Sequence, residues 1–236
     1  MIPIRDSEAR HRFTPVNVLL IAANIVVFVH EVSLGRHLEG FVARWAMIPS
    51  HLTAGNAGSY AYSIAQTPVS PWITILTSMF IHGGLWHVAG NMLYLFIFGA
   101  AVEEAMGSAR FAIFYFLAGI AAALAMVAFA PNSNVPVIGA SGAIAGVLGG
   151  YFVLYPRARI TALFPVFILI YSFEVPAFLY LMLWFVVQLW WGLSETGAAA
   201  KVGGVAWWAH VGGFLFGIAV APMLARGGRK PASRGR

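Results

Sequence analysis

Charge is almost missing from the long middle of this chain, and that limits its fold more than any motif does. Apolar runs follow one another from Val16 to Leu224, separated by short polar, proline or glycine stretches. Only 9% of the 236 residues are charged and 60% are hydrophobic, whereas soluble domains carry roughly 25% charged residues. With a mean hydropathy of +0.81, the chain is read as an integral membrane protein. Cysteine is absent, which removes disulfides, thiolate nucleophiles and cysteine metal sites. The net charge of +6 does not mark a nucleic-acid face, because it gathers at the two ends. Arg5, Arg10 and Arg12 precede the first apolar run, and Arg226, Arg229, Lys230, Arg234 and Arg236 follow the last. Such clusters read as cytoplasmic flanks of a membrane domain.

The division that follows is a tail over 1–14, a membrane domain over 15–225 and a basic tail over 226–236. Val16 to Val29, with no convincing cleavage site after it, is expected to be a retained spanning helix that His30-Glu31 ends. Residues 33–71 form a loop too apolar for a linker. Phe41, Trp45, Met47 and Ile48 before Pro49 suggest a segment in the membrane interface, and residues 55–71 look irregular. Trp72 to Ile81 is ten residues long, too short to span. Further spans are expected over Leu85–Met106, Arg110–Ala130, Ser141–Tyr155, Pro176–Leu193 and Val205–Leu224. Residues 160–175, with Pro165 and Glu174, are expected to be an irregular connection.

Six helices put both termini on one side. Of the 14 Lys and Arg, only Arg36, Arg44 and Lys201 fall in loops on the other side, so the termini are expected to be cytoplasmic. The Ser141 helix is short. Its 15 residues to Tyr155 reach roughly 22 Å at helical rise, against a hydrocarbon core of roughly 30 Å. Ser141 must then lie below the outer boundary, with the 131–140 loop descending to meet it. Irregular backbone is tolerated at that depth inside protein or beside a water-filled cavity, so an outward-open polar cavity is expected with Ser141 at its floor.

Gly142, Gly146 and Gly150 recur every four residues and bare one face of that helix. Gly213 and Gly217 do the same below His210 on the last helix, so the two faces can pack closely and bring His210 towards Ser141. His87 and Asn91, at i and i+4, share one face near the same depth. A serine hydroxyl needs a base, and histidine is the commonest. The only aspartate, Asp6, is outside the spans, and Glu103 and Glu104 sit at the wrong end of their helix. The pattern therefore offers a Ser141–His210 dyad without an acid. Asn91, His87 and the Ser141 backbone N–H could donate to an oxyanion.

Structural readings stand beside these. Ser141 is also a plausible N-cap of a small-residue packing helix. His82 reads as a helix–helix hydrogen bond. His87 with His210 could bind a metal, but no cysteine or acidic ligand joins them. Trp184, Trp190 and Trp191 read as lipid-facing or interfacial anchors, and Glu103 as an end cap or loop anchor. A zinc protease would want H-E-x-x-H, which His30-Glu31 does not continue. An aspartyl membrane enzyme would want two membrane aspartates. A solute channel lacks a polar path on the cytoplasmic half.

Gly139-Ala140-Ser141-Gly142, His87-x-x-x-Asn91 after His82-Gly83-Gly84-Leu85-Trp86, and Ala209-His210-x-x-Gly213-x-x-x-Gly217 together resemble the rhomboid family of intramembrane serine proteases. Glu103 with Gly107 also resembles that family. The resemblance covers about residues 15–225. It implies an all-α, six-transmembrane-helix rhomboid-like bundle with a short central helix four and a large first loop. It implies Ser141 as nucleophile, His210 as base, and His87 and Asn91 as oxyanion ligands. The implied reaction is peptide-bond hydrolysis in or beside transmembrane segments of membrane-protein substrates, with no cofactor, no metal and no nucleic-acid partner. The lack of a seventh span suggests the simple prokaryotic form, in a plasma (inner) membrane. Two features depart from the family pattern. Trp72 is followed by Ile73 where many members carry Trp-Arg, and Ala145 stands where some carry a tyrosine beneath the histidine ring. Trp207 and Trp208 are candidate substitutes for that tyrosine. The other reading is a catalytically inactive relative that binds and escorts membrane proteins, although such relatives are expected to lack the serine or histidine.

Overall fold

The computed structural model describes residues 2–8, 12–53, 69–166, 169–194 and 206–226. In chain order its elements are β1 (Ile2–Asp6), α1 (Pro15–Ser33), α2 (Leu38–Trp45), α3 (Pro49–Thr53), α4 (Pro71–Phe80), α5 (Leu85–Met106), α6 (Ser108–Phe129), α7 (Ser141–Leu154), β2 (Arg159–Val166), β3 (Leu169–Pro176), α8 (Ala177–Ser194) and α9 (Trp207–Leu224). The irregular stretch expected before residue 69 and the basic tail beyond 226 lie outside the described residues. Among the described residues α1, α5, α6, α8 and α9 are long and apolar enough to cross a membrane. The expected short central helix is α7, at 14 residues.

The glycines explain where α7 sits. A Cβ built on Gly217 would fall on the Gly146 carbonyl oxygen, and one on Gly213 would fall on that of Gly142. The backbones of α7 and α9 therefore touch directly along the Gly213 and Gly217 stripe of α9. On the other side of α7, a Cβ on Gly146 would run into Ala118 of α6 and one on Gly142 would come within 2.8 Å of Ala122 Cβ. α7 is thus held between α6 and α9, and Ala143 to Tyr151 are all buried.

At the far end from Ser141, the Glu103 carboxylate accepts the backbone N–H of Val16 at 3.2 Å and of Asn17 at 2.7 Å, and the Ser108 hydroxyl at 2.6 Å. The first N–H groups of a helix have no partner within it, and an anion there also suits the helix dipole. Glu103 is the cap and anchor that its position suggests. Gly107, at φ +83°, makes the turn from α5 to α6.

The large first loop is fastened without a Trp-Arg pair at 72–73. Met47 and Val137 exchange backbone hydrogen bonds, and the Ser50 hydroxyl reaches Asn134 at 2.6 Å. Thr53 Oγ1 donates to the Pro131 carbonyl and Thr77 Oγ1 to the Trp45 carbonyl. The Arg44 guanidinium lies over the Trp45 ring, 5.2 Å from its centroid.

The helical bundle carries a sheet that the sequence reading lacks. Residues 160–175 are a regular antiparallel hairpin, and residues 2–6 of the N-terminal tail add a third strand in the order β1-β2-β3. β1 pairs with β2 only over Ile160–Leu163. Pro165 therefore lies where β1 has ended and its missing N–H interrupts no ladder on that side. The buried Asp6 carboxylate accepts the Tyr151 hydroxyl at 3.0 Å, which ties this sheet to the end of α7 away from Ser141.

Candidate active site

Ser141 opens α7 because the chain before it reverses sharply. Gly139 has φ +112°, a conformation that side chains disfavour, and its N–H donates to the Ser78 carbonyl at 2.9 Å. The reversal aims the Ser141 side chain at α9. His210 Nε2 lies 2.8 Å from Ser141 Oγ. The Gly213 and Gly217 contacts are what let α9 come that close.

The other ring nitrogen of His210, Nδ1, lies 2.7 Å from Gln188 Oε1 on α8. An amide oxygen only accepts, so Nδ1 carries the proton and Nε2 offers its lone pair to the Ser141 hydroxyl. Sequence reasoning finds no acid to orient His210 and overlooks Gln188. Trp184 is one turn before it on α8, and its ring centroid is 5.8 Å from that of His210 and 5.9 Å from that of Phe214. This corrects the reading of Trp184 as a lipid-facing anchor. Trp207 meets the His210 ring edge-on at 6.3 Å, while Trp208 stacks on Phe129 instead, at 3.8 Å. Trp190 and Trp191 are exposed, as expected.

His87 and Asn91 reach the same place from α5. A Cβ built on Gly139 would lie 2.8 Å from His87 Nε2 and 3.6 Å from Asn91 Nδ2. Both nitrogens therefore crowd the loop two residues before Ser141. The Gly83 N–H donates to His87 Nδ1 at 3.3 Å. That requires the Nδ1 lone pair and leaves the proton on Nε2, towards Gly139. Asn91 is buried, and its Nδ2 has no hydrogen-bond partner among the described residues. The first N–H groups of α7 are likewise without partners inside the helix. Donors gathered beside a partly buried Ser141 suit developing negative charge there.

The loop that leads into the His87 helix is pinned by a residue the sequence reading passes over. Glu31, buried on α1, accepts the His82 backbone N–H with both carboxylate oxygens, at 3.1 and 3.2 Å. The His82 ring stands edge-on to His87 at 5.1 Å, and its Nδ1 is 3.2 Å from the Phe80 carbonyl oxygen. The His82 ring therefore bonds within its own loop, while its backbone N–H reaches α1.

Comparison with known proteins agrees with this architecture. The Rhomboid domain family model matches residues 69–227. The chain is 29% identical over 170 residues to Rhomboid protein 1, mitochondrial, of Saccharomyces cerevisiae, covering 70% of this chain and 46% of that protein. It is 45% identical over 78 residues to Rhomboid protease GluP of Bacillus subtilis, covering 33% of this chain and 15% of that one. It is also 27% identical over 119 residues to Inactive rhomboid protein 1 of Drosophila melanogaster, covering 50% of this chain and 8% of that one. The chain thus spans less than half the length of each of these relatives. A family match over two thirds of the chain, on a membrane bundle built around a short glycine-rich helix, makes this chain a member of the rhomboid family.

Proposed function

We propose that the chain is an intramembrane serine endopeptidase that hydrolyses peptide bonds in or next to transmembrane segments of membrane proteins. The observation that carries this is the 2.8 Å contact between Ser141 Oγ and His210 Nε2; with Gln188 Oε1 accepting from Nδ1–H, Nε2 is free to take a proton. As the hydroxyl oxygen attacks the scissile carbonyl carbon, its proton passes to His210 Nε2. The new oxyanion receives hydrogen bonds from His87 Nε2–H, Asn91 Nδ2–H and the Ser141 backbone N–H. The imidazolium then gives its proton to the departing amine, and water releases the acyl group by the same route in reverse. Gln188 holds Nδ1–H throughout and steadies the imidazolium as a neutral acceptor, where other serine hydrolases use a carboxylate.

The family includes inactive members, and an inactive protein that binds and escorts membrane proteins is the other reading. An intact Ser141–His210 contact and a donor at Asn91 left without a partner among the described residues favour catalysis over it. The site lies on the opposite side of the bundle from β1. Together with the basic ends this supports cytoplasmic termini, and the site then opens to the outside of a prokaryotic plasma membrane. The direct test is cleavage of a panel of single-span membrane proteins by the purified chain in liposomes. Wild type is expected to cleave at least one near its span, and Ser141→Ala none. Equal cleavage by both would remove Ser141 from the chemistry.

A further inference from the structure

The β2–β3 hairpin has two unlike faces. On one face Ile160 and Ala162 are fully buried against the helices, and Val175, opposite Ile160, packs on the same core. Continuing outward on that face come Phe164, Tyr171 and Phe173, which remain 45%, 54% and 40% exposed. Phe164 and Phe173 touch edge to face at 6.5 Å. The other face carries Thr161, Ser172 and the Arg159–Glu174 ion pair at 2.9 Å, all open to solvent at least in part. The sequence from Leu163 to Tyr171 contains no charged residue. Exposed contiguous apolar surface is unusual unless something covers it.

We propose that this apolar face lies on the lipid interface of the leaflet opposite the Ser141 opening, as a membrane-resting hairpin. Its attachment decides the occupant. β2 starts five residues after the last residue of α7, and β3 runs directly into the spanning helix α8. The Ala177 N–H bonds the Ala158 carbonyl at 2.8 Å, which closes the base. That base sits where two membrane helices end, with the buried Ile160 and Ala162 turning this face towards the bundle. Eight paired residues reach roughly 26 Å at strand rise, and strand twist of about 20–25° between neighbours does not turn the face over. Beyond the bundle's edge the same face therefore meets lipid. α8, which follows directly, begins with Phe178 and Leu179, 43% and 49% exposed. Arg157, exposed at the base, suits phosphate headgroups, and aromatic rings favour this depth.

The chain has no cysteine, so single nitroxide labels can be placed on the full-length protein at Tyr171→Cys, Phe164→Cys and Ser172→Cys. In mixed phosphatidylcholine and phosphatidylglycerol liposomes, power saturation compares access of oxygen, which concentrates in lipid, with access of a nickel chelate, which stays in water. Positions 171 and 164 are expected to favour oxygen, with an oxygen-to-nickel ratio several-fold above that at 172, one residue away on the opposite face. Nickel-favoured access at 171 would place the face in water. Closure of 171 to both reagents would place it against protein, such as a second copy. Oxygen-favoured access at 172 as well would bury the whole hairpin. Each of these three results overturns the proposal.

Discussion

A serine hydroxyl is a weak nucleophile, so each group around Ser141 can be weighed by what it does to the proton or to the oxyanion. On the proposed reading Asn91 acts on the oxyanion. Removing one such donor costs roughly 10²–10³ in turnover, so Asn91→Ala should lower kcat by that order. If Asn91 were only a helix–helix hydrogen bond, worth about 0.6 kcal/mol in membranes, the variant would melt earlier and cleave at the wild-type rate per folded molecule. Turnover and melting measured on one preparation separate the two. Gln188 acts through His210. Losing a hydrogen bond to a charged group costs about 1.5–3 kcal/mol, so Gln188→Met should lose roughly 10- to 150-fold in kcat with KM little changed. Gln188→Glu, which also only accepts from Nδ1–H, should recover much of it. Failure of that rescue, with both variants equally stable, would make Gln188 a packing residue. The gathering of Ser141, His210, His87 and Asn91 in one place was legible because each sits in a short motif with a typed spacing. Gln188 was not, since one polar residue in the apolar run of α8 has no local pattern, and only the fold brings it to His210. Trp184 was misassigned for a related reason: hydropathy says that a helix is in the membrane, not which face turns inward.

Among elements, α7 and α9 were readable from sequence because small residues at every fourth position leave a helix little to do except approach another. The contact is tight enough to test. Overpacking typically costs about 1–3 kcal/mol, and a side chain on Gly217 would meet the Gly146 carbonyl itself. Gly217→Val should therefore lower the melting temperature clearly, and it should weaken turnover by moving His210. Gly90, with open space where its Cβ would be, is the control, and Gly90→Ala should change neither. Equal effects of the two variants would contradict the close packing. The sheet escaped sequence reading for physical reasons. Pro165 and Glu174 break the look of a buried strand, and β1 is strand only by pairing with residues some 155 positions away. Pairing at that separation leaves no local signature.

For the whole molecule, the proposed orientation rests on the distribution of Lys and Arg and can be checked from either side. Asn132, exposed in the loop before α7, and Arg157, exposed after it, should lie on opposite faces of the membrane. In intact cells an impermeant maleimide should label Asn132→Cys, and should label Arg157→Cys only after the membrane is opened. The reverse pattern would invert the topology and turn the site towards the cytoplasm. Membership of the rhomboid family and the helical bundle follow from composition, small-residue spacing and the family match together. Activity is the step that rests on a single contact, Ser141 to His210. It is tested most directly by treating the purified full-length protein with a fluorophosphonate and mapping the adduct by mass spectrometry. The account predicts an adduct on Ser141 in the wild type and none in a folded His210→Ala variant. A folded wild-type protein that forms no adduct, or a His210→Ala variant labelled as fast as wild type, would contradict it.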